Sequence, residues 1–85
     1  DLVTQCMVAT SPAVLTAAVD DGRLAQRPEF GSRENAYALI AERIVAEQAE
    51  LKKSKSSIMQ ISYQGGSPAE TLAVVNAVLA SYRKF

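Results

Sequence analysis

Apolar residues recur at helical spacing in four stretches of the chain and alternate with polar residues in a fifth. The helical stretches are residues 2–9, 12–19, the region that follows Ser32, and 68–82, while the alternation covers 58–63. Spacing of three to four residues predicts amphipathic helices, and a period of two predicts a half-buried strand. The pattern therefore predicts a small single α+β domain of three to four helices packed on a short β-sheet or hairpin.

The first two helical stretches are separated by Thr10-Ser11-Pro12. Ser11 suits a helix N-cap, and Pro12 suits the first helical position, where its missing N–H costs nothing. The residue before a proline disfavours helical geometry, which favours two helices over one kinked helix. In residues 2–9, either Leu2, Cys6 and Ala9 or Val3 and Met7 form the inward face. Gly22 is the predicted left-handed C-cap of the second helix.

The middle of the chain predicts a loop and a third helix. Leu24 and Phe30 should anchor the loop over 22–31, and Ser32 should cap the helix that follows. The apolar stripe of this helix is formed by Tyr37, Ile40, Ala41, Ile44 and Val45. Its end stays open, because residues 46–50 contain good helix formers while the alternation of Ala49 and Leu51 suits the start of a strand.

The segment 58–63 predicts a strand with Met59, Ile61 and Tyr63 facing the helices. A Gly65-Gly66 turn ends it, and Ser67-x-x-Glu70 with Pro68 forms a capping box that opens the last helix. The residues expected on the buried side of that helix are Leu72, Val75, Leu79 and Tyr82, with Val78 at the margin.

The composition narrows the class of protein. The 85 residues (1–85) are 48% apolar, which suits one globular domain, and nine basic and nine acidic residues give zero net charge. This balance favours neither nucleic acid nor an anionic membrane surface. Histidine is absent, and the single Cys6 excludes an internal disulfide and is interpreted as a small buried apolar residue.

Two short polar segments have residue types that also occur in binding sites. Gly65-Gly66-Ser67 lacks the glycine fingerprint and the lysine of a phosphate loop, so a plain turn is the interpretation. Asp20-Asp21 with Glu29 has no calcium-ligand spacing and is read as a helix stop. The sequence therefore predicts no catalytic residue, no cofactor site and no metal site.

Two polar features remain as candidates for interaction. The basic cluster of Lys52, Lys53 and Lys55 is either a solvated face or a contact for an acidic glycan or headgroup. Asn76, in the middle of the last helix, would bind a loop backbone or a neighbouring subunit. Ser67 and Glu70 are expected to act structurally, as the helix cap.

Three ordered motifs resemble the Wzz-type chain-length determinant domain of polysaccharide co-polymerases. Ser11-Pro12-Ala13-Val14-Leu15 is similar to its S-P-x-V-L helix, and Ile58-Met59-Gln60-Ile61-Ser62-Tyr63 is similar to its I-x-I-S-Y strand. The run from Ser67-Pro68-Ala69-Glu70 through Asn76-Ala77 to Tyr82 resembles its last helix. The family's opening strand and its coiled-coil arm have no counterpart here, and its Asp-Pro-Glu becomes the longer Ser-Pro-Ala-Glu.

The resemblance implies a function in polysaccharide biosynthesis. It implies an excised segment of a longer membrane protein, on the periplasmic face of the inner membrane, which forms homo-oligomers and is not catalytic. Its partners would be copies of itself, a polysaccharide polymerase and a lipid-linked glycan, in lipopolysaccharide, capsule or exopolysaccharide synthesis. The membrane would be reached through flanking segments, and the first strand of the sheet would be missing.

Two other classes of function stay open at this point. The chain would also suit a soluble adaptor domain that binds a partner peptide or helix. It would equally suit a small enzyme subunit whose active site is completed on assembly. Apolar runs of about 20 residues on both sides of the segment would favour the co-polymerase.

Overall fold

A computed structural model of the chain describes residues 1–54 and 56–85, and Lys55 lies outside the described residues. The chain forms a small α+β domain, as the hydrophobic pattern predicts. In chain order, its elements are α1 (Leu2–Ala9), α2 (Pro12–Asp21), a 3₁₀ turn (Leu24–Gln26), α3 (Arg33–Arg43), β1 (Ile44–Leu51), β2 (Ser56–Tyr63) and α4 (Pro68–Arg83).

Residues 2–21 form two separate helices, as the sequence favours, and the axes of α1 and α2 are bent by 48° relative to each other. The Ser11 hydroxyl accepts a hydrogen bond from the Val14 N–H at 3.4 Å, which caps α2 ahead of Pro12. In α1, the face with Leu2, Cys6 and Ala9 turns inward, and Val3 and Met7 are exposed. Cys6 is half-buried rather than fully buried.

The predicted left-handed cap at Gly22 is wrong. Gly22 has a φ of −82°, and the left-handed residue is Arg23, with a φ of 52°. The reason for glycine is space, because a Cβ on Gly22 would lie 2.8 Å from the Ala77 Cβ. Gly22 therefore lets the end of α2 approach α4 closely.

Helix α3 ends at Arg43, and β1 follows at once. Ser32 caps α3 as predicted, its hydroxyl accepting from the Asn35 N–H at 3.0 Å. Ile40 is buried in the helix, and Ile44 is buried as the first residue of the strand. The predicted stripe is wrong for Ala41, which is exposed within α3, and for Val45, which belongs to β1 and points to the face opposite Ile44.

The two strands form an antiparallel hairpin with a continuous register of eight pairs, from Ile44 opposite Tyr63 to Leu51 opposite Ser56. Met59, Ile61 and Tyr63 are the more buried residues of β2, which confirms their predicted direction. The opposite face of the hairpin exposes the apolar side chains of Val45, Leu51 and Ile58. Within the described residues the sheet contains these two strands and no third.

Helix α4 buries a different face from the predicted one. Leu72 is 62% exposed, while Val78, expected at the margin, is fully buried. Val75, Leu79 and Tyr82 are half-buried. The helix is apolar around most of its circumference, so its periodicity could not select the side that packs against α2.

The contact between α2 and α4 contains a buried polar link. The Ser81 hydroxyl donates to the Val14 carbonyl oxygen at 2.7 Å, and both atoms are shielded from water. Leu24 and Phe30 are buried, which confirms that they anchor the loop, and the 3₁₀ turn that contains Leu24 packs against α2 and α3. The remaining core residues are Ala9, Val14, Leu15, Ala18, Val19, Ala36, Ile40, Ile44, Tyr63, Val74 and Val78.

Candidate functional site

The turn between β2 and α4 is held by hydrogen bonds from its own glycines. The Gly65 N–H donates to the Thr71 hydroxyl at 3.2 Å, and the Gly66 N–H donates to the Glu70 carboxylate at 3.3 Å. A Cβ on Gly65 would lie 2.7 Å from the Thr71 hydroxyl oxygen, so this position requires glycine. Both glycine donors of the turn are therefore used within the protein.

The capping box forms with one difference from its usual geometry. The Glu70 N–H donates to the Ser67 hydroxyl at 3.1 Å, which confirms Ser67 as the cap. The Glu70 side chain reaches back to Gly66, one residue earlier than the capping box predicts. Both side chains are thus engaged in hydrogen bonds at the start of α4.

Glu70 is a buried carboxylate, 7% exposed, and lies against a buried tyrosine. The Tyr63 hydroxyl donates to the second carboxylate oxygen of Glu70 at 3.4 Å. Burial raises the pKa of Tyr63, and the nearby charge of Glu70 raises it further, while Arg43 acts in the opposite direction. The base of the hairpin and the start of α4 are thereby joined.

This arrangement is unsuited to an anion. The glycine N–H groups are already bonded, and a buried carboxylate would repel a phosphate or sulfate placed at the helix N-terminus. The geometry supports a rigid joint between sheet and helix.

Two shallow depressions flank the joint. One, of about 620 Å³, is lined by the turn and by Pro68, Leu72 and Val75 of α4. The other, of about 640 Å³, lies on the hairpin side and is lined by Arg43, Val45 and residues 64–66, with Glu42 at its rim. The first is lined by no charged residue, whereas the second is lined by Glu42 and Arg43, so the first is the better candidate for an apolar contact with another chain.

The predicted interaction residues are not brought together. Asn76 is exposed on α4, away from the buried side of that helix. Lys52 and Lys53 are exposed in the turn between β1 and β2, while Lys55 lies outside the described residues. Asn76 on α4 and the two lysines in the hairpin turn therefore belong to separate surfaces.

The carboxylates of Asp20, Asp21 and Glu29 each contact a basic side chain. Arg33 holds Asp20 with two hydrogen bonds of 2.6 and 2.9 Å, and this interaction lowers the pKa of Asp20. Lys84 approaches Asp21 at 3.3 Å, and Arg27 pairs with Glu29. In the part of the chain that the structure describes, no three potential ligands converge on a metal position.

Sequence reasoning missed the burial of Glu70 and its contact with Tyr63. The capping box placed Glu70 in the first turn of α4 but carried no signal for the strand residue that covers it. The alternation Met59-x-Ile61-x-Tyr63 pointed Tyr63 inward, and the short Gly-Gly turn could have suggested that it meets the first turn of the helix.

Among the described residues no single helix is long and apolar enough to cross a bilayer, and α1 with α2 qualifies only when the bent pair is counted together. Several residues of α2 belong to the core of this domain.

No family model, curated protein or solved structure matches the chain.

Proposed function

We propose that this chain is a non-catalytic oligomerisation module of a polysaccharide co-polymerase, which regulates chain length in exopolysaccharide, capsule or O-antigen biosynthesis. The proposal that the domain associates with other chains rests on the exposure of large apolar side chains on three separate parts of the domain. They are Val3 and Met7 on α1, Val45, Leu51 and Ile58 on the hairpin, and Leu72 on α4. Single exposed apolar side chains are common on protein surfaces, but Val45, Leu51 and Ile58 share one face of the hairpin, and an apolar face of this kind favours contact with another chain.

The motif resemblance carries the polysaccharide part of the proposal. Its three motifs fall at the start of α2, in β2, and from the start of α4 onward. By the same resemblance, the module acts at the periplasmic face of the inner membrane, in a membrane-anchored parent protein. Its partners are copies of itself, a polysaccharide polymerase and a lipid-linked glycan.

The test is made on the full-length protein in its own membrane. Deletion should change the length distribution of the polysaccharide on gels more than the total amount of polymer. Substituting Asn76, or Lys52 and Lys53 together, with alanine should shift that distribution by removing the proposed contacts with partners. The fold should stay intact, because these side chains are exposed and do not belong to the core. Arg83→Ala is the control, since it removes an exposed charge that lies in neither candidate surface and forms no ion pair among the described residues.

A full-length protein that stays monomeric in membranes, together with unchanged polymer lengths after deletion, would contradict the proposal. A catalytic role is tested by a separate measurement on the purified protein. Purified protein is expected to bind no nucleotide, and sustained turnover of ATP that follows the protein through mutation-controlled purification would show an enzyme instead.

The second candidate is an adaptor domain that binds a partner peptide or helix. The depression of about 620 Å³ beside the Gly-Gly turn favours it, because this depression is open to solvent and is lined by the apolar side chains of Leu72 and Val75. A partner helix in this groove would shift the amide resonances of residues 71–75, and Leu72→Glu would abolish the shift. Apolar runs on both sides of the segment would favour the co-polymerase over this adaptor.

A further inference from the structure

A depression between α2 and α3 combines an apolar lining with a carboxylate. It has a volume of about 300 Å³ and is lined by Thr16, Val19, Arg33, Glu34 and Tyr37. Val19 is buried and Tyr37 is half-buried, so the more buried part of the lining is apolar. A depression of this kind suits a side chain with an apolar stem and a polar end.

The charges around this depression leave it negative. Asp20 accepts two hydrogen bonds from Arg33, at 2.6 and 2.9 Å, so these two charges neutralise each other. Glu34 belongs to no ion pair among the described residues. Glu34 and Tyr37 are three residues apart on α3 and therefore share a face of that helix. They suit a lysine, whose ammonium group pairs with the carboxylate and the ring while its carbon chain covers the apolar lining.

The far half of the hairpin presents lysines on an element that projects from the domain. Residues 50–54 and 56–58 are all exposed, so no helix covers the hairpin there. Lys52 and Lys53 lie in the turn, next to the exposed side chain of Leu51. In the part of the chain that the structure describes, neither lysine forms an ion pair. The turn therefore offers two positive charges and one apolar side chain to another chain.

The depression and the hairpin turn lie at opposite ends of the domain. Helix α3 packs mainly against α2 and the 3₁₀ turn, whereas the hairpin packs mainly against α1 and α4. Strand β1 starts where α3 ends, and at about 1.5 Å per helical residue and about 3.3 Å per strand residue the two laid end to end span about 43 Å. The longest dimension of the domain is 42 Å, which agrees with this arrangement. The turn of one copy therefore reaches the depression of a neighbour and not its own.

We propose that the hairpin turn of one copy docks in the α2–α3 depression of the next copy, with the lysines of the turn beside Glu34 and Tyr37. The inference deepens the proposed function and rests on it for one premise, that the module assembles with copies of itself. Two different surfaces meet, so the contact repeats from copy to copy and closes into a ring when the rotation between neighbours allows it. It also leaves the outer edge of β2 available for the first strand that the resemblance implies.

Exchanging the charges tests the contact on the 85-residue chain in solution. Sedimentation velocity up to about 1 mM, in about 20 mM salt, should show association that Glu34→Lys weakens by at least about tenfold. Replacing Lys52 and Lys53 together with glutamate should weaken it as much. The variant with all three substitutions should return to within about threefold of the wild-type dissociation constant, because attraction is restored with the signs exchanged. Circular dichroism verifies that each variant stays folded.

The matched control is Glu42→Lys. It makes the same change of charge on the same helix, at an exposed glutamate that does not line the α2–α3 depression. It should leave the dissociation constant within about twofold.

A mixture of two defective variants tests the direction of the contact. Glu34→Lys keeps an intact turn, and the variant with Lys52→Ser and Lys53→Ser keeps an intact depression. Each alone should stay largely monomeric at a concentration at which the wild-type chain associates. An equimolar mixture should form a one-to-one dimer and grow no further, because one intact contact remains between the two variants. A two-fold contact between identical surfaces would give no such rescue.

A chain that stays monomeric at about 1 mM would overturn the inference. So would association that Glu34→Lys leaves unchanged, or a triple variant that stays as weak as the variants from which it is built. The cellular test is separate, because polymer length after deletion of the full-length protein does not depend on which surfaces join the copies. Normal polymer lengths after that deletion would refute the proposed function and leave the docking result standing, whereas altered lengths together with a monomeric chain would refute the docking alone.

Discussion

Replacing Val78 with alanine tests which face of α4 is the structural one. Val78 is fully buried between α4 and the rest of the core, while Leu72 on the same helix is 62% exposed. The hydrophobic pattern of the sequence predicts the opposite order, with Leu72 buried and Val78 at the margin. Comparing Val78→Ala with Leu72→Ala therefore separates the two assignments within one helix.

The expected cost follows from the carbon atoms removed. Valine loses two methyl groups, and at about 0.8 kcal/mol for each buried carbon the transfer term is about 1.6 kcal/mol. The cavity that remains adds to this, so the free energy of unfolding should fall by about 2–3 kcal/mol for Val78→Ala. For Leu72→Ala the change should stay within about 0.5 kcal/mol, since the side chain is mostly in water.

Urea unfolding followed by circular dichroism measures both values, and thermal unfolding provides a check. For a domain of this size, the melting temperature should fall by roughly 10–20 °C in Val78→Ala. Alanine has a high helix propensity, so α4 itself is not weakened by either change. A loss in Leu72→Ala as large as that in Val78→Ala would refute the assignment of the buried face.

The joint between β2 and α4 yields three further predictions. Ser67→Ala should lower the free energy of unfolding by about 1 kcal/mol, since the Glu70 N–H loses its cap, and urea unfolding measures this. Gly65→Ala should cost about 1–3 kcal/mol because the new methyl group meets Thr71, and wild-type stability in this variant would contradict the turn geometry. Ultraviolet titration should show Tyr63 ionising above the ordinary value of 10.0, so stability is full below pH 10 and falls as pH rises beyond it, because the unfolded chain releases that proton first. Tyr63→Phe should remove this alkaline loss.

The helix starts were predictable because their signals are local. Ser11, Ser32 and Ser67 each accept a hydrogen bond from an N–H three residues ahead, and this geometry depends on a few neighbouring residues alone. The direction of Met59, Ile61 and Tyr63 was predictable for a similar reason, since alternation in a strand is a property of the backbone. These local rules were sufficient for the α+β class of the domain.

These local rules did not predict the residue at which α3 ends. Residues 44–51 contain good helix formers, and they become β1 because β2 pairs with them across the hairpin. That pairing joins residues 5 to 19 positions apart, beyond the three to four positions of a helical turn, and it also reassigns Ile44 from a helix stripe to the base of a strand. Local propensity does not include this contribution.

The buried face of α4 and the joint around Glu70 were likewise decided by tertiary contacts. An α-helix with apolar residues on most sides has several faces that satisfy its own pattern, and its neighbours select one. Here α2 selects the face with Val78 and Ser81, while Tyr63 covers the carboxylate of Glu70. The sequence by itself determined where most helices begin and which way β2 faces, because those depend on short-range geometry. Only the tertiary structure decided which side chains are buried, because burial depends on the surfaces that the other elements cover.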